Sequence, residues 1–257
     1  MGKVISICLA KGGVGKTTSA VNLAASLAVY EQKTLLIDID PYGSANIALG
    51  FTSDKIKGGI LEIFSFTKSI HYTIHKTEIE YLDFVPSNII SLNVDEKFAR
   101  SAENKTVLKN ALRDIKNEYD YIIIDCPPIL RGVTTNALTA SDSVLIPVKC
   151  GYLTLDALDK LFNYVQWIKE VSNPELKIEG IFFTMYEKDS KVTKISEQEL
   201  KIKYNDYLMK TFIPASNLLN EATFYGKPLC LYQISSAGAI AYLDLAYEIM
   251  TKNQSLQ

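Results

Sequence analysis

No uninterrupted apolar run among the 257 residues reaches 18, the length a membrane-spanning helix needs. A strand-like segment begins almost at the first residue, without the basic and then apolar lead of a secretory signal. A soluble, cytoplasmic protein is expected. Bulk positive charge is missing too: the net charge is −2, so any contact with nucleic acid has to come from a local patch. Cysteine is sparse and scattered. Cys8, Cys126, Cys150 and Cys230 form no CxxC pair, and three of them lie in or beside apolar runs, the setting of buried, reduced thiols. The two histidines, His71 and His75, sit at i,i+4 spacing, but no acid or cysteine stands at ligand spacing, so a solvated pair is expected rather than a metal site. Repeats, low-complexity tracts and linkers are absent. A hydrophobic fraction of 47% is ample for a large core, and a single domain over 1–257 is expected.

What is present is a glycine-rich turn, Lys11-Gly12-Gly13-Val14-Gly15-Lys16-Thr17-Thr18, between the apolar run Val4 to Leu9 and a helix-like segment. Strand, glycine loop, helix is the context of a phosphate-binding loop. Glycines let backbone N–H groups turn toward phosphate oxygens, and the helix start adds unpaired N–H groups and a positive dipole end. Lys16 offers a point charge for the outer phosphates, and the Thr17 hydroxyl a ligand for Mg²⁺. The generic pattern is missed at its first glycine, where Ala10 stands, and an extra lysine, Lys11, follows.

Strands and helices alternate along the rest. Apolar runs at 34–40, 121–125 and 143–148 read as strands buried on both faces, and 81–85, 177–185 and 210–214 as further strands. Helical stripes fall at 17–30, 104–117, 154–171, 195–208 and 237–250; in the last, Ile240, Leu243, Tyr247 and Met250 are expected to face inward. Residues 60–78 read as a helix followed by irregular chain. The expected fold is α/β: a three-layer, doubly wound, mostly parallel sheet with helices on both faces, as in P-loop nucleotide-binding proteins.

Three distant features should then meet at the carboxyl edge of the sheet, where open α/β sheets bind ligands: the glycine loop, the acids Asp38 and Asp40 ending one strand, and Asp125 ending another. An acid ending a buried strand either caps the next helix or holds Mg²⁺; with a phosphate loop upstream, Asp125 is assigned to the metal. Asp38 and Asp40 share a face of their strand and repel unless a cation or a polarised water lies between them. One of them suits the metal shell, the other the attacking water.

These segments, with Asp125-Cys126-Pro127-Pro128, Asn136-Ala137-Leu138, Gly226-Lys227-Pro228 and the tail Ser236 to Ala246, make the chain similar over its whole length to the ParA/Soj branch of the deviant-Walker (ParA/MinD) ATPases. The resemblance implies hydrolysis of ATP to ADP and phosphate with Mg²⁺, and a homodimer formed with ATP. It also implies non-specific binding of double-stranded DNA, a ParB/Spo0J-like activator, and cargo such as a chromosome or plasmid. It gives Lys11 a phosphate contact across the dimer, Gly12 a place at the interface, and the loop from Gly13 and Val14 through Gly15, Lys16, Thr17 and Thr18 the phosphates. Asp40 is implied in hydrolysis, Thr17, Asp38 and Asp125 in the metal shell, and Met185 and Pro214 in holding the adenine.

Several positions depart from the family pattern. Tyr42 replaces a usual Gln, Ile129-Leu130-Arg131 a usual Ser-Leu-Gly, and Gly151 a usual Glu. Both arginines by which relatives bind DNA are replaced, by Asp189 and Leu218. Lys188, Lys191, Lys194, Lys201 and Lys203 form a substitute candidate patch, interleaved with Glu187, Asp189, Glu197 and Glu199. A ParA-like positioning ATPase or nucleotide-switched scaffold with little DNA binding is therefore the alternative. A MinD-like membrane cycle would need a basic amphipathic tail, and only seven residues follow Met250.

Overall fold

The computed structural model describes residues 2–89 and 91–254. Among them, eight strands build one sheet: β1 (Lys3–Ile7), β2 (Thr34–Asp38), β3 (His75–Lys76), β4 (Leu82–Val85), β5 (Tyr121–Asp125), β6 (Ser143–Lys149), β7 (Lys177–Tyr186) and β8 (Leu208–Pro214). Their order is β3-β4-β2-β5-β1-β6-β7-β8. All neighbours run parallel except β3 with β4, whose antiparallel pairing lies at one edge. The helices are α1 (Lys16–Val29), α2 (Ser44–Ala48), α3 (Ile60–Phe64), α4 (Leu92–Ser101), α5 (Val107–Arg113), α6 (Val133–Ala140), α7 (Tyr152–Val171), α8 (Lys191–Tyr204), α9 (Leu218–Phe224), α10 (Leu229–Tyr232) and α11 (Ala237–Gln254).

Successive side chains of a strand point to opposite faces, so each central strand feeds two cores. Ile5, Ile7, Leu36, Phe84 and Ile123 pack against α1 and α11 on one face. Val4, Leu35, Ile37, Ile122, Ile124 and Ile146 pack with α5 and α7 on the other. The doubly wound sheet expected from the alternating runs is what forms.

The differences lie in the helices. The expected 104–117 helix is only the seven residues of α5, and α8 starts four residues earlier than expected, framed by its buried Thr193, Ser196, Leu200 and Tyr204. Helix α4 is largely polar and buries Phe98 alone; it is absent from the elements expected from sequence, together with α6, α9 and α10. Within 60–78, α3 is five residues long and the chain ends in the edge strand β3. The two histidines serve different partners: His71 Nε2 lies 3.2 Å from Glu118, and His75 Nε2 lies 2.8 Å from the Gly58 carbonyl.

The inward face of α11 also differs from expectation. Ala241, Tyr242, Leu245, Ala246 and Ile249 are buried, whereas Ile240 and Tyr247 are 48% and 60% exposed. The reason is size. Alanines on α11 meet an alanine-rich α1, with Ala20, Ala24 and Ala28 buried in the same core, and small residues let two helices approach closely enough to exclude larger ones. Residues 255–257, the end of the short tail after Met250, lie outside the described residues. No helix of the described residues is long and apolar enough to cross a membrane.

Candidate nucleotide site

Strand β1 ends at Ile7 and α1 begins at Lys16, so residues 8–15 must turn the chain back through a tight loop. Gly15 makes the last step in the left-handed region, φ 82°, and its carbonyl accepts the Ser19 amide at 2.8 Å. Gly12 and Gly13 line a cavity of about 400 Å³, and a Cβ on either would meet no atom within 4 Å. The cavity therefore faces bare backbone, as a phosphate cradle requires. The loop is fastened from β7, where the Thr184 hydroxyl donates to the Val14 carbonyl at 2.9 Å.

Lys16 is 7% exposed, and its ammonium donates to the Lys11 carbonyl at 2.9 Å. Burial lowers its pKa, and the nearby Asp125 carboxylate is the chief influence opposing that. The Lys11 ammonium reaches the Thr154 hydroxyl at 3.3 Å, and that hydroxyl in turn donates to the Lys149 carbonyl at 2.6 Å. Here the extra lysine folds over the end of β6 and the start of α7.

The three acids meet as their strand positions require. Asp125 is in register with Ile7 of β1 on one side and Asp38 of β2 on the other. It is fully buried, and neither carboxylate oxygen has a hydrogen-bond partner among the described residues. Burial pushes its carboxyl up to about 7, with the adjacent Thr17 hydroxyl and the Lys16 charge pulling it down and Asp40 pushing it up. Buried, unpartnered carboxylate oxygens facing a threonine hydroxyl fit a divalent cation.

Asp38, also fully buried, is differently placed. Its Oδ1 accepts the Asp40 amide at 2.9 Å and its Oδ2 the Ala45 amide at 3.1 Å. Asp38 therefore binds the loop after β2 to itself and sets the start of α2. Burial, reinforced by Asp125, drives its pKa well above the usual carboxylate range. Asp40 lies on that loop at the cavity wall, 9% exposed, accepting the Tyr42 amide at 3.1 Å. Burial raises its pKa; Lys16 opposes this, and Asp95 of α4 adds to it.

The far wall of the cavity comes from the end of β7 and from α9: Met185, Leu219, Ala222, Thr223 and Lys227. Met185 takes φ +50°, an uncommon conformation for a side-chain-bearing residue and one that clusters at functional sites. A side cavity of about 270 Å³ shares Gly15, Thr18, Met185 and Leu219 with the first and adds Ser216, Asn217 and Asn220. Pro214 is set back from both cavities; its neighbours Ile213 and Ala215 line the smaller one. Sequence reading missed Asn22, Ser44 and the α9 residues of the larger cavity. The Gly226-Lys227-Pro228 turn was the available signal: a Cβ on Gly226, φ +64°, would lie 2.7 Å from Gly50 Cα, so α9 and the segment after α2 touch backbone to backbone.

The lysine patch is only partly free. Lys188, Lys191, Lys194 and Lys201 are exposed. Lys203 pairs with Asp159, which the Tyr204 hydroxyl also engages. Exposed Val192, Ile195 and Ile202 share the outer surface of α8, and Glu197 accepts the Tyr186 hydroxyl at 2.6 Å.

A bare glycine loop between β1 and α1, a buried lysine at the helix start and strand-end acids on neighbouring strands define a P-loop nucleoside triphosphatase. Residues 2–178 match the family model described as an AAA domain. The chain is 42% identical to the sporulation initiation inhibitor protein Soj of Bacillus subtilis, over 97% of this chain and 98% of that one. It is 40% identical to the chromosome partitioning protein ParA of Myxococcus xanthus, over 98% and 89%. With these likenesses the chain belongs to the ParA/Soj family of ATPases. Its fold also matches cobyrinic acid a,c-diamide synthase of Mycobacterium smegmatis, solved with an ATP analogue and magnesium, at a TM-score of 0.84 and 26% identity over 100% and 98% of the chains.

Proposed function

We propose that this chain is a partitioning ATPase whose nucleotide state switches its assembly. In this reading it binds ATP with Mg²⁺, dimerises, holds duplex DNA without sequence preference, and lets go when a ParB-like partner stimulates hydrolysis. The observation that carries the reading is the buried, unpartnered Asp125 carboxylate beside Lys16 and Thr17 at the rim of a bare glycine loop. The ATP analogue and magnesium in the mycobacterial synthase support the same ligands here.

Residues 12–18 offer amide donors and the Lys16 charge to the phosphates. Thr17 and Asp125 would hold Mg²⁺, which supplies charge neutralisation across the phosphate oxygens. Asp38 supports that shell from behind, because its own oxygens already fix the loop that carries Asp40. Asp40, held by the Tyr42 amide at the cavity wall, orients the attacking water. Met185 and the α9 wall close on the base. Lys11 swings from Thr154 to the phosphates of a second copy; its single long hydrogen bond, 3.3 Å, is a weak tether to break. Lys188, Lys191, Lys194 and Lys201 meet the DNA. The single sheet through both cores supports one folding unit over 1–257, and a switch of this kind works in the cytoplasm, at the nucleoid while bound to DNA.

A second reading keeps the ATPase and drops the DNA. It is favoured by the neutralised Lys203 and by the acids interleaved on and before α8.

The test combines phosphate release with sedimentation velocity. Wild type should hydrolyse Mg-ATP and dimerise with it, and Lys16→Ala should do neither. Lys11→Ala should keep nucleotide binding as a monomer and lose the ATP-dependent dimer. Wild type that neither turns over ATP nor changes its assembly with it would overturn the reading. A Lys11→Ala protein that dimerises normally would return Lys11 to the surface.

A further inference from the structure

A second cavity, about 500 Å³, opens at the antiparallel edge of the sheet, between the segment after α2 and β3. That volume is within the range of small-ligand sites, roughly 300–1,000 Å³. Its floor is apolar: Leu49 and Phe51 pack on one core of the protein and Ile74 on the other. Its rim carries three lysines, Lys55, Lys57 and Lys76, with the His75 imidazole among them, against a single lining carboxylate, Glu78. In a chain of net charge −2, that concentration of one sign is local.

The rim is partly built. The Lys68 ammonium donates to the Lys57 carbonyl at 2.9 Å and so anchors the loop that carries Lys57. His75 is half-buried, and its Nε2 lies 2.8 Å from the Gly58 carbonyl. A carbonyl can only accept, so Nε2 carries a hydrogen. Phe51 meets the imidazole edge-on at 5.9 Å and helps hold the ring plane. Lys76 is already matched, its ammonium 2.9 Å from Asp83, which also accepts the Tyr119 hydroxyl. Lys55 and Lys57 have no ion pair within 4 Å among the described residues; Asp54 stands beside Lys55 on an exposed turn.

We propose that this cavity is a second anion site, separate from the nucleotide cleft, that takes a phosphoryl group. Two unpaired ammonium groups and an oriented imidazole suit an anion with several acceptor oxygens and more than one charge. Such a group has two sources, the phosphodiester backbone of duplex DNA or a free polyphosphate. The site does not depend on the assignment of DNA to α8.

Two titrations decide it, each on wild type, on Lys55→Gln/Lys57→Gln and on Lys191→Gln/Lys194→Gln. The first uses fluorescent duplex DNA with Mg-ATP at rising salt. The second uses inorganic tripolyphosphate, read on the ring resonances of the two histidines, with His71 as internal control. If the source is DNA, Lys55→Gln/Lys57→Gln binds duplex about tenfold more weakly, and the log–log salt slope falls by roughly two, one per lost phosphate contact. If the source is a free polyphosphate, His75 shifts in wild type and not in that variant, while His71 stays in place. In either case phosphate release from Mg-ATP is unchanged, since neither lysine lines the nucleotide cavity. The inference is overturned if Lys55→Gln/Lys57→Gln matches wild type in both titrations. Duplex affinity lost only in Lys191→Gln/Lys194→Gln, with His75 unmoved, overturns it too while leaving DNA binding by α8 intact.

Discussion

Asp125→Asn should make the metal- and nucleotide-free protein more stable at neutral and alkaline pH. The folded-state carboxyl has a pKa of about 7, against 3.8 without burial. A gap of about three pH units, at about 1.4 kcal/mol each, amounts to about 4 kcal/mol. The sign follows from proton counts. Below pH 3.8 both states hold the proton and the residue is neutral to folding. Between 3.8 and 7 the folded state holds a proton that the unfolded state has lost, so stability falls as pH rises; above 7 the full cost is present. Asparagine has nearly the same shape and does not titrate. The stability of Asp125→Asn relative to wild type should therefore climb by about 4 kcal/mol between pH 4 and pH 8. Urea unfolding of both proteins at pH 4.5, 6 and 8 measures it, and taking the difference cancels most other titrations. Adding Mg-ATP at pH 8 should then stabilise wild type far more than the variant, by mass action on the folded state. A variant-minus-wild-type difference flat within 1 kcal/mol across that range would refute the account of Asp125 as a buried, uncompensated carboxylate.

Two further substitutions test the packing around the site and at the opposite end of the sheet. Gly226→Ala puts a Cβ 2.7 Å from Gly50 Cα at a φ of +64°; the expected cost is about 2 kcal/mol or more, read by thermal unfolding, with weaker nucleotide binding because α9 walls the cavity. An unchanged melting temperature would show that the two backbones part easily. Lys3→Met strands Glu179, whose 2%-exposed side chain is held by Lys3 at 2.7 Å and by the Ser143 hydroxyl at 2.5 Å. A loss of about 3 kcal/mol is expected in urea unfolding at pH 7; a loss under 1 would mean that Ser143 and the chain around it satisfy Glu179 alone.

The sheet was legible because its strands are doubly buried. Runs such as Tyr121–Asp125 and Thr34–Asp38 are apolar through their middle and buried at every position, the pattern of a central parallel strand. The catalytic edge was legible because its acids end those strands. The short helices were not: α9 buries Ala222 and little else, and α4 buries Phe98 alone, so neither carries enough apolar residues to stand out from its polar surroundings. On α11 the alternative stripe of larger residues outweighed the alanines in any reading by hydrophobicity, although close packing on α1 selects small ones. The partner of Lys11, Thr154, lies 143 positions away, and no spacing rule reaches that far. Asp38 illustrates a different limit. Its strand-end position was readable from sequence, but that its two oxygens are taken up by backbone amides is set by the path of the loop after it.

Gly50 and Gly226 meet without side chains between them, and that contact has a mechanical result. Interlocked side chains relax by changing rotamer; two glycine backbones in contact have no rotamer to change, so neither segment can move closer to the other. Gly50 lies two residues beyond α2, whose start Asp38 sets, and Gly226 two residues beyond α9, which walls the far side of the cavity. On the proposed reading, a movement of the Asp40 loop that drives α2 toward α9 would press on the far wall of the same cavity.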